Sequence, residues 1–481
     1  MAGSRLWLQQ VDWAHAPGQT RREQLCHALR AAARMQGETL KLPSTRQLAI
    51  DLRLSRVTVE AAYAQLEAEG LIERRQGSGS YWRPPAAPLP RLQSTLAVPA
   101  VLSKRGRSLV EVGGCEDPLV PRAFAAGSPD LRAFPWAIWR RLSRQRAADA
   151  EALGRYQPPQ GNPRLRAVLA AHLASSRGVK ASADQLLMLT SSQQGLFLLG
   201  QLLLDPGDTV WMEDPGYPGA RAAFAAAGAR VVPVPVDPDG LAPSAALPSP
   251  KLVYVTPAHQ YPLGVRMTPA RRAHLLAFSR QHGSWIVEDD YDSEFHAQSA
   301  ALPALQSQDA EGRVIYLGTF SKTLMPSLRL AYAALPAGLV HAAVQLRSLV
   351  DGHGNGWFQT LVADFIEAGH YAAHLRHQRQ LVAARRSALL HAVQRQLPWA
   401  RAYCPEACGL QLCVSLPAGA EPRLTRQAAL AGVLTPSLSR LSVTRPLDGW
   451  LLGFAALTPS EIDEAVRRLG TLSPGRRRAG G

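Results

Sequence analysis

Between Arg83 and Gly114 the chain reads RPPAAPLPRLQSTLAVPAVLSKRGRSLVEVGG, with prolines at 84, 85, 88, 90 and 99 and no sustained hydrophobic period. Proline fixes φ and removes a backbone donor, so this stretch suits neither a long helix nor an inner strand and reads as a linker. It separates a module over residues 1–83 from a body over residues 115–481, and a length of 481 residues agrees with more than one domain. At 46% hydrophobic and 19% charged residues, both parts can bury a core, which excludes a largely disordered protein. No apolar run approaches the roughly 18 residues of a membrane helix, and the start MAGSRLWLQQVDW lacks the apolar centre of a signal peptide. The expected location is the cytoplasm, with no membrane partner. Five cysteines are too few to staple such a chain, so no structural disulfide is expected.

Within the module, Leu25, Ala28, Leu29 and Ala32 share one face of a helix over residues 21–35. Ser44 and Gln47 have the spacing of a capping box, which starts a second helix running to about Leu52. A third helix follows Ser55, turns Val59, Ala62, Tyr63 and Leu66 inward, and stops at Gly70. LIERR, the turn-prone QGSGS and YW then read as a β-hairpin. Three helices and a hairpin suggest a winged helix-turn-helix. In that fold Ser55, Arg56 and Thr58, at the start of the third helix, reach base edges and phosphates in the major groove, and Arg46 meets the backbone. Gly77 and Gly79 let the wing approach the minor groove, with Arg74 and Arg75 supplying charge beside it. On spacing alone, a small helical protein-interaction domain with solvated arginines is an alternative reading. The net charge of +16 makes a polyanion the first partner to consider. Residues 1–83 carry only twelve basic against eight acidic side chains, so charge does not decide the matter.

The strings LPSTRQLA and LSRVTVEAAYAQLEAEGLIERRQGSGS, in that order, resemble the winged helix-turn-helix of GntR-type transcription regulators. The resemblance implies that Arg46, Arg56, Thr58 and Gly77 fall on DNA-contact positions and that the partner is double-stranded promoter DNA.

The body alternates strand-like runs (KLVYVTP, SWIVEDD, GRVIYLG) with helical stretches such as RRAHLLAFSRQ, the pattern of a doubly wound α/β sheet. Only five lysines occur, at 41, 104, 180, 251 and 322, which makes each conspicuous among 53 basic residues. Lys322 follows GRVIYLG in GTFSKTLMPSLR, in a short loop with the hydroxyls of Thr319 and Ser321 and the guanidinium of Arg329. An amine beside a phosphate site suits an aldehyde with a phosphate tail, and pyridoxal phosphate is such a ligand. Its ring nitrogen needs a carboxylate and its phenolic oxygen a donor. WIVEDDYDSEF offers Asp289 and Tyr291 for these, although the acids alone would also suit a solvated turn or a divalent metal. Ser192 and Gln193, in LTSSQQGLFLLGQLL, reach the phosphate from a helix N-terminus, and Tyr217 in EDPGYPGA stacks on the ring.

VYVTPAHQYPLG, EDDYDSEF and GTFSKTLMPSLR resemble a fold-type I aminotransferase domain. Together with the winged helix, residues 13–470 are similar to the MocR subfamily of GntR regulators. By that resemblance Lys322 is the lysine that forms the internal aldimine, Asp289 and Tyr291 are the ring partners, and Thr319 and Arg329 are phosphate ligands. The body then forms the aminotransferase-type homodimer. Where aminotransferases commonly carry Asn at the phenolic oxygen, this chain has Tyr261, with Gln260 and His259 as the candidates to replace it. Ala331 stands where a glycine is usual. An arginine in the C-terminal part can bind an effector carboxylate, and Arg440 is the candidate, with Arg445 close by.

Two other clusters read as structural. His370, His374 and His377 share a helix face among arginines, without an acidic or thiol ligand, and Cys404, Cys408 and Cys413 lack paired CxxC spacing, Cys413 being read as core. No metal is expected. The chain therefore reads as a promoter-binding regulator whose DNA binding responds to pyridoxal phosphate and to a small amino compound, with any transamination residual. The alternative is an active aminotransferase that carries a DNA-binding domain, since the lysine, aspartate and tyrosine serve both.

Overall fold

The computed structural model describes residues 20–36, 41–83, 101–112, 123–296, 303–404 and 409–473, in two compact units that divide between Val101 and Leu102. In the first unit α1 (Arg21–Gln36), α2 (Thr45–Leu52) and α3 (Arg56–Ala68) precede a hairpin of β1 (Ile72–Arg75) and β2 (Gly79–Trp82). Leu25, Leu29, Leu48, Val59, Tyr63 and Leu66 meet in one core with Ile72 and Trp82 of the hairpin. Ala32, read on the same face, has its side chain outside the described residues.

Local chemistry sets the helix ends. Ser44 Oγ accepts from Gln47 N at 3.2 Å, as its spacing suggests, but the Gln47 amide donates to Asp51 at 2.8 Å, so the reciprocal half of the capping box does not form. Ser55 Oγ accepts from Thr58 N at 3.0 Å and starts α3. At the other end Gly70, with φ 73°, donates to Glu67 O, and Leu71 donates to Leu66 O, a Schellman stop. Ser55→Ala removes the N-cap and should lower stability by about 1 kcal/mol. The expected readout is a lower urea midpoint with an unchanged slope.

The stretch read as linker is not irregular throughout. Residues 84–100 lie outside the described residues, but α4 (Lys104–Val112) is a helix of the second unit, and Arg105 donates to Ala226 O at 3.3 Å. The prolines that argued for a linker end at Pro99, and a nine-residue helix is too short for its period to stand out. The terminal GRRRAGG also lies outside the described residues.

The second unit is built on an eight-stranded sheet in the order β3-β10-β9-β8-β7-β4-β5-β6. Its strands are β3 (Leu186–Leu189), β4 (Thr209–Asp214), β5 (Arg230–Asp237), β6 (Gly240–Leu241), β7 (Leu252–Val255), β8 (Trp285–Asp290), β9 (Val314–Thr319) and β10 (Ala331–Ala334). The run from β9 through β8, β7 and β4 to β5 is parallel, while β10 lies antiparallel between β9 and β3. Alternate residues feed two cores. Val210, Met212, Leu252, Tyr254 and Val287 pack on one face with helices α5 (Ser192–Leu203) and α6 (Pro218–Ala226). Trp211, Val253, Val255 and Ile286 pack on the other with α7 (Pro269–His282). A second, three-stranded antiparallel sheet, β11 (Arg401–Ala402), β12 (Gln411–Ser415) and β13 (Gly449–Gly453), closes the C-terminal part. Among the described residues no helix is long and apolar enough to cross a membrane.

Candidate functional site

In an open parallel sheet ligands gather beyond the carboxyl ends of the strands. Five of the sequence-read segments meet there: Ser192 after β3, Tyr217 after β4, His259–Tyr261 after β7, Asp289–Asp292 at the end of β8, and Thr319–Lys322 after β9. Asp289 is buried, accepts from Tyr254 Oη at 2.8 Å through Oδ2, and leaves Oδ1 buried with no hydrogen-bond partner among the described residues. Burial above all, helped by the charges of Asp290 and Asp292, pushes its carboxyl up to about 6, while the Tyr254 hydrogen bond and the Lys322 charge act the other way. Asp290 differs from its neighbour. Burial alone would raise it, but Arg177 at 2.9 Å and the Tyr316 hydroxyl at 2.7 Å hold it below the usual carboxylate range. The two acids of this strand end therefore differ: Asp290 is ion-paired within the fold, and Asp289 keeps one buried oxygen without a hydrogen-bond partner among the described residues.

Lys322 is half-buried in the turn after β9, and Ser321 N donates to Thr319 Oγ1 at 3.1 Å in the same turn. Gly127, with φ 73°, faces the lysine: a Cβ there would lie 2.7 Å from Nζ. Tyr217, Tyr261 and Tyr291 form a row of edge-on rings with centroids 5.8 and 6.0 Å apart. This brings Tyr217 and Tyr291 to one wall. A buried carboxylate oxygen without a donor, an amine whose charge reaches it, and an aromatic wall together fit the ring of pyridoxal phosphate.

Other sequence-read groups are placed differently. Gln193 donates to Gly219 O at 2.8 Å and accepts from Tyr217 Oη at 3.2 Å, so its amide is engaged with protein rather than open to a phosphate. Ser191, not Ser192, caps α5, accepting from Gln194 N, and Ser192 is its first residue. Arg329 is exposed on the loop after the lysine, in the left-handed region, and its guanidinium has no partner among the described residues. Gln260 cannot replace the usual Asn, because its amide nitrogen faces Pro215 O at 2.9 Å and Tyr261 O at 2.6 Å and its oxygen accepts from Leu263 N. Arg440 is exposed on a turn whose Leu441 carbonyl accepts from Gly216 N, the residue before Tyr217. Arg445, with Arg266, lines a separate cavity of about 1120 Å³ between β5 and the C-terminal part.

His374 is buried and donates to Thr323 O, whereas His377 is exposed, so the helical histidines form no joint site. Cys413 is buried and donates to Pro262 O, and Cys26, Cys404 and Cys413 are free thiols. Cys408 lies outside the described residues. His259, Asp292 and His296 do bring metal-ligating atoms within 4.8 Å of one another. However, His259 and Asp292 are already hydrogen-bonded at 2.7 Å, and the positive Arg266 acts on His296, which opposes a cation. Sequence reasoning named His259 and weighed a divalent metal for the acids of WIVEDDYDSEF, but it did not join them with His296, and it missed Gly127 and Tyr254.

In the first unit Arg46, Ser55, Arg56 and the intervening Val57 are exposed at the starts of α2 and α3, and neither arginine forms an ion pair among the described residues. Ser55 and Thr58 hydroxyls lie 2.8 Å apart. Gly77, with φ 73°, forms the wing tip. Arg74 departs from the expectation of free wing charge: it pairs with Glu60 at 2.7 Å and Glu67 at 2.8 Å, both on α3, and so braces the wing against that helix. Arg75 pairs with Glu73 and lies over the Tyr81 ring.

Comparison with known proteins decides the family. Residues 23–81 match the family of bacterial regulatory proteins, gntR family, and residues 124–469 match aminotransferase class I and II. The probable rhizopine catabolism regulatory protein MocR of Rhizobium meliloti is 38% identical over 93% of this chain and 92% of its own length. The chain belongs to the MocR-type GntR regulators. The transcriptional regulator TauR of Rhodobacter capsulatus is 35% identical over 74% of this chain and 75% of its own. Among solved structures, LysN, an alpha-aminoadipate aminotransferase of Thermus thermophilus complexed with N-(5'-phosphopyridoxyl)-L-leucine, matches with TM-score 0.67 and 28% identity, over 76% of this chain and 94% of that one. This MocR-type chain is thus a transcription regulator with a GntR winged helix-turn-helix and a fold-type I aminotransferase-like domain, a fold family that is dependent on pyridoxal phosphate.

Proposed function

We propose that this regulator binds pyridoxal phosphate at Lys322, and that the cofactor, with a small amino compound, modulates its binding to promoter DNA as a homodimer. The observation that carries the reading is the buried, partnerless Oδ1 of Asp289 within reach of the Lys322 charge. A protonated ring nitrogen supplies what that oxygen lacks. Bound there, pyridoxal phosphate contributes an aldehyde that condenses with amines, and so a means of sensing amino compounds. The residues of the chain do the rest. Asp289 holds the ring nitrogen in its charged form, Tyr217 and Tyr291 wall the ring, and the Thr319 and Ser321 hydroxyls with Arg329 take the phosphate. Ser192 adds the first N–H groups of α5, and Gln193 steadies Tyr217. Arg440, exposed beside the Tyr217 turn, is the group for an effector carboxylate. The DNA face is formed by Arg46, Ser55, Arg56 and Thr58, with Gly77 at the wing tip and Arg74 behind it.

A ligand changes DNA affinity only if it prefers one arrangement of the protein. Lys322, Asp289 and Tyr217 come from three strand ends, so one ligand that touches all three favours the arrangement in which they converge. Loading with cofactor should change operator affinity by a factor of about 5 to 150, the usual range of coupling between sites. Titration of operator DNA into apo and loaded protein at one salt concentration, with and without amino acids, measures it. Equal affinities in all states, together with sustained transamination, would establish the enzyme reading instead.

A further inference from the structure

His259 and Asp292 are 3% and 1% exposed, and His259 Nδ1 lies 2.7 Å from Asp292 Oδ2 and 3.1 Å from the Tyr291 hydroxyl. A carboxylate can only accept, so Nδ1 carries the ring proton and donates it to Asp292. The Tyr291 oxygen, on the same N–H, is an acceptor at that position. Its own proton must leave in another direction. The opposite ring nitrogen, Nε2, is buried with no hydrogen-bond partner among the described residues. Gly409, with φ 138°, backs the pair so closely that a Cβ would lie 2.4 Å from His259 Cε1 and 2.5 Å from Asp292 Oδ2. His296 meets the His259 ring edge-on at 5.6 Å, and burial pushes it down to about 4, so it adds no positive charge near neutral pH. Arg266, Asp289 and Asp290 are the other charges acting on this group.

We propose that His259, fixed by Asp292, is a positioning residue that turns the Tyr291 O–H toward the phenolic oxygen of bound pyridoxal phosphate. This inference rests on the cofactor reading above. It gives His259, one of the two candidates for the usual Asn, an indirect part through Tyr291, while Gln260 is engaged elsewhere. Without the imidazole, Asp292 becomes the strongest acceptor near Tyr291 and draws the phenol proton away from the cofactor. Its charge already acts on Tyr291.

The test is a pH titration of the visible absorbance of the full-length protein loaded with pyridoxal phosphate. Tyr291→Phe removes the donor to a charged oxygen, leaves that oxygen more basic, and should raise the titration midpoint by about one to two pH units. His259→Leu should raise it in the same direction, and the double variant should match Tyr291→Phe alone, because the histidine acts only through the tyrosine. His259→Asn, which places an N–H where Nδ1 was, should stay near the parent. If the leucine variant does not fold, His259→Gln, whose longer side chain moves the N–H off Asp292, takes its place in the cycle. An unmoved midpoint in the His259 variant, or a full further shift on top of Tyr291→Phe, overturns the positioning role while leaving the cofactor reading intact. No visible band in the parent protein, or no shift with Tyr291→Phe, overturns the cofactor reading itself.

Discussion

Lys322→Ala should abolish covalent attachment of pyridoxal phosphate and leave the fold standing. The other four lysines, 41, 104, 180 and 251, are exposed, whereas Lys322 is half-buried with its charge acting on Asp289. An amine reacts with an aldehyde only as the neutral base, and it stays attached only where the rest of the ligand is held. On the proposed reading Lys322, whose charge acts on Asp289 beside the row of Tyr217, Tyr261 and Tyr291, is the amine around which the ring and phosphate are held. The substitution removes no buried apolar surface, so stability should stay within about 0.5 kcal/mol of the parent, as for changes outside the core. Borohydride reduction followed by peptide mass analysis reads the adduct, and thermal unfolding reads the fold. Modification of a different lysine in the parent, or an undiminished adduct in the variant, would sink the assignment. Asp289→Asn should behave differently. It keeps Lys322 and the adduct but loses the charge that holds the ring nitrogen protonated.

Much of the candidate site was legible in the sequence because several of its groups sit at strand ends, and strand ends show in sequence as an apolar run followed by polar residues. WIVEDD and VIYLGT were of that kind, so the strands that carry Asp289 and precede Lys322 could be read directly. What stayed hidden was partnership across the sheet. Tyr254 lies inside a strand whose pattern says only that it is buried, yet its hydroxyl donates to Asp289. Gln193 and Arg74 looked free because local spacing does not reveal Gly219 or the acids of α3, which come from other elements. Likewise α4 was lost in a proline-rich context, since its partner Ala226 lies more than a hundred residues away. Local rules placed the groups, and long-range contacts decided which of them remain available to a ligand.

Arg56→Ala should remove specific operator binding without changing cofactor uptake. Arg56 is the first residue of α3, exposed and without an ion pair among the described residues, and the helix start is held by Ser55 rather than by the arginine. The helix therefore survives the change. Loss of one base or phosphate contact costs about 1 to 3 kcal/mol, and in the proposed homodimer on two half-sites it is lost twice, about 2 to 6 kcal/mol in all. An operator obtained by selection from random DNA, measured by anisotropy at fixed salt, would read the loss, and the slope of affinity against salt separates its origin. A phosphate contact shallows that slope by about one charge per half-site, whereas a base contact leaves it nearly unchanged and relaxes sequence preference at one position. Arg74→Ala is the informative comparison. Its charge is already balanced by Glu60 and Glu67, so the salt slope should barely move, and any loss of affinity should come from a wing no longer braced against the recognition helix. An Arg56→Ala protein that binds the selected operator as tightly as the parent would overturn the placement of α3 in the major groove, whatever the cofactor domain does.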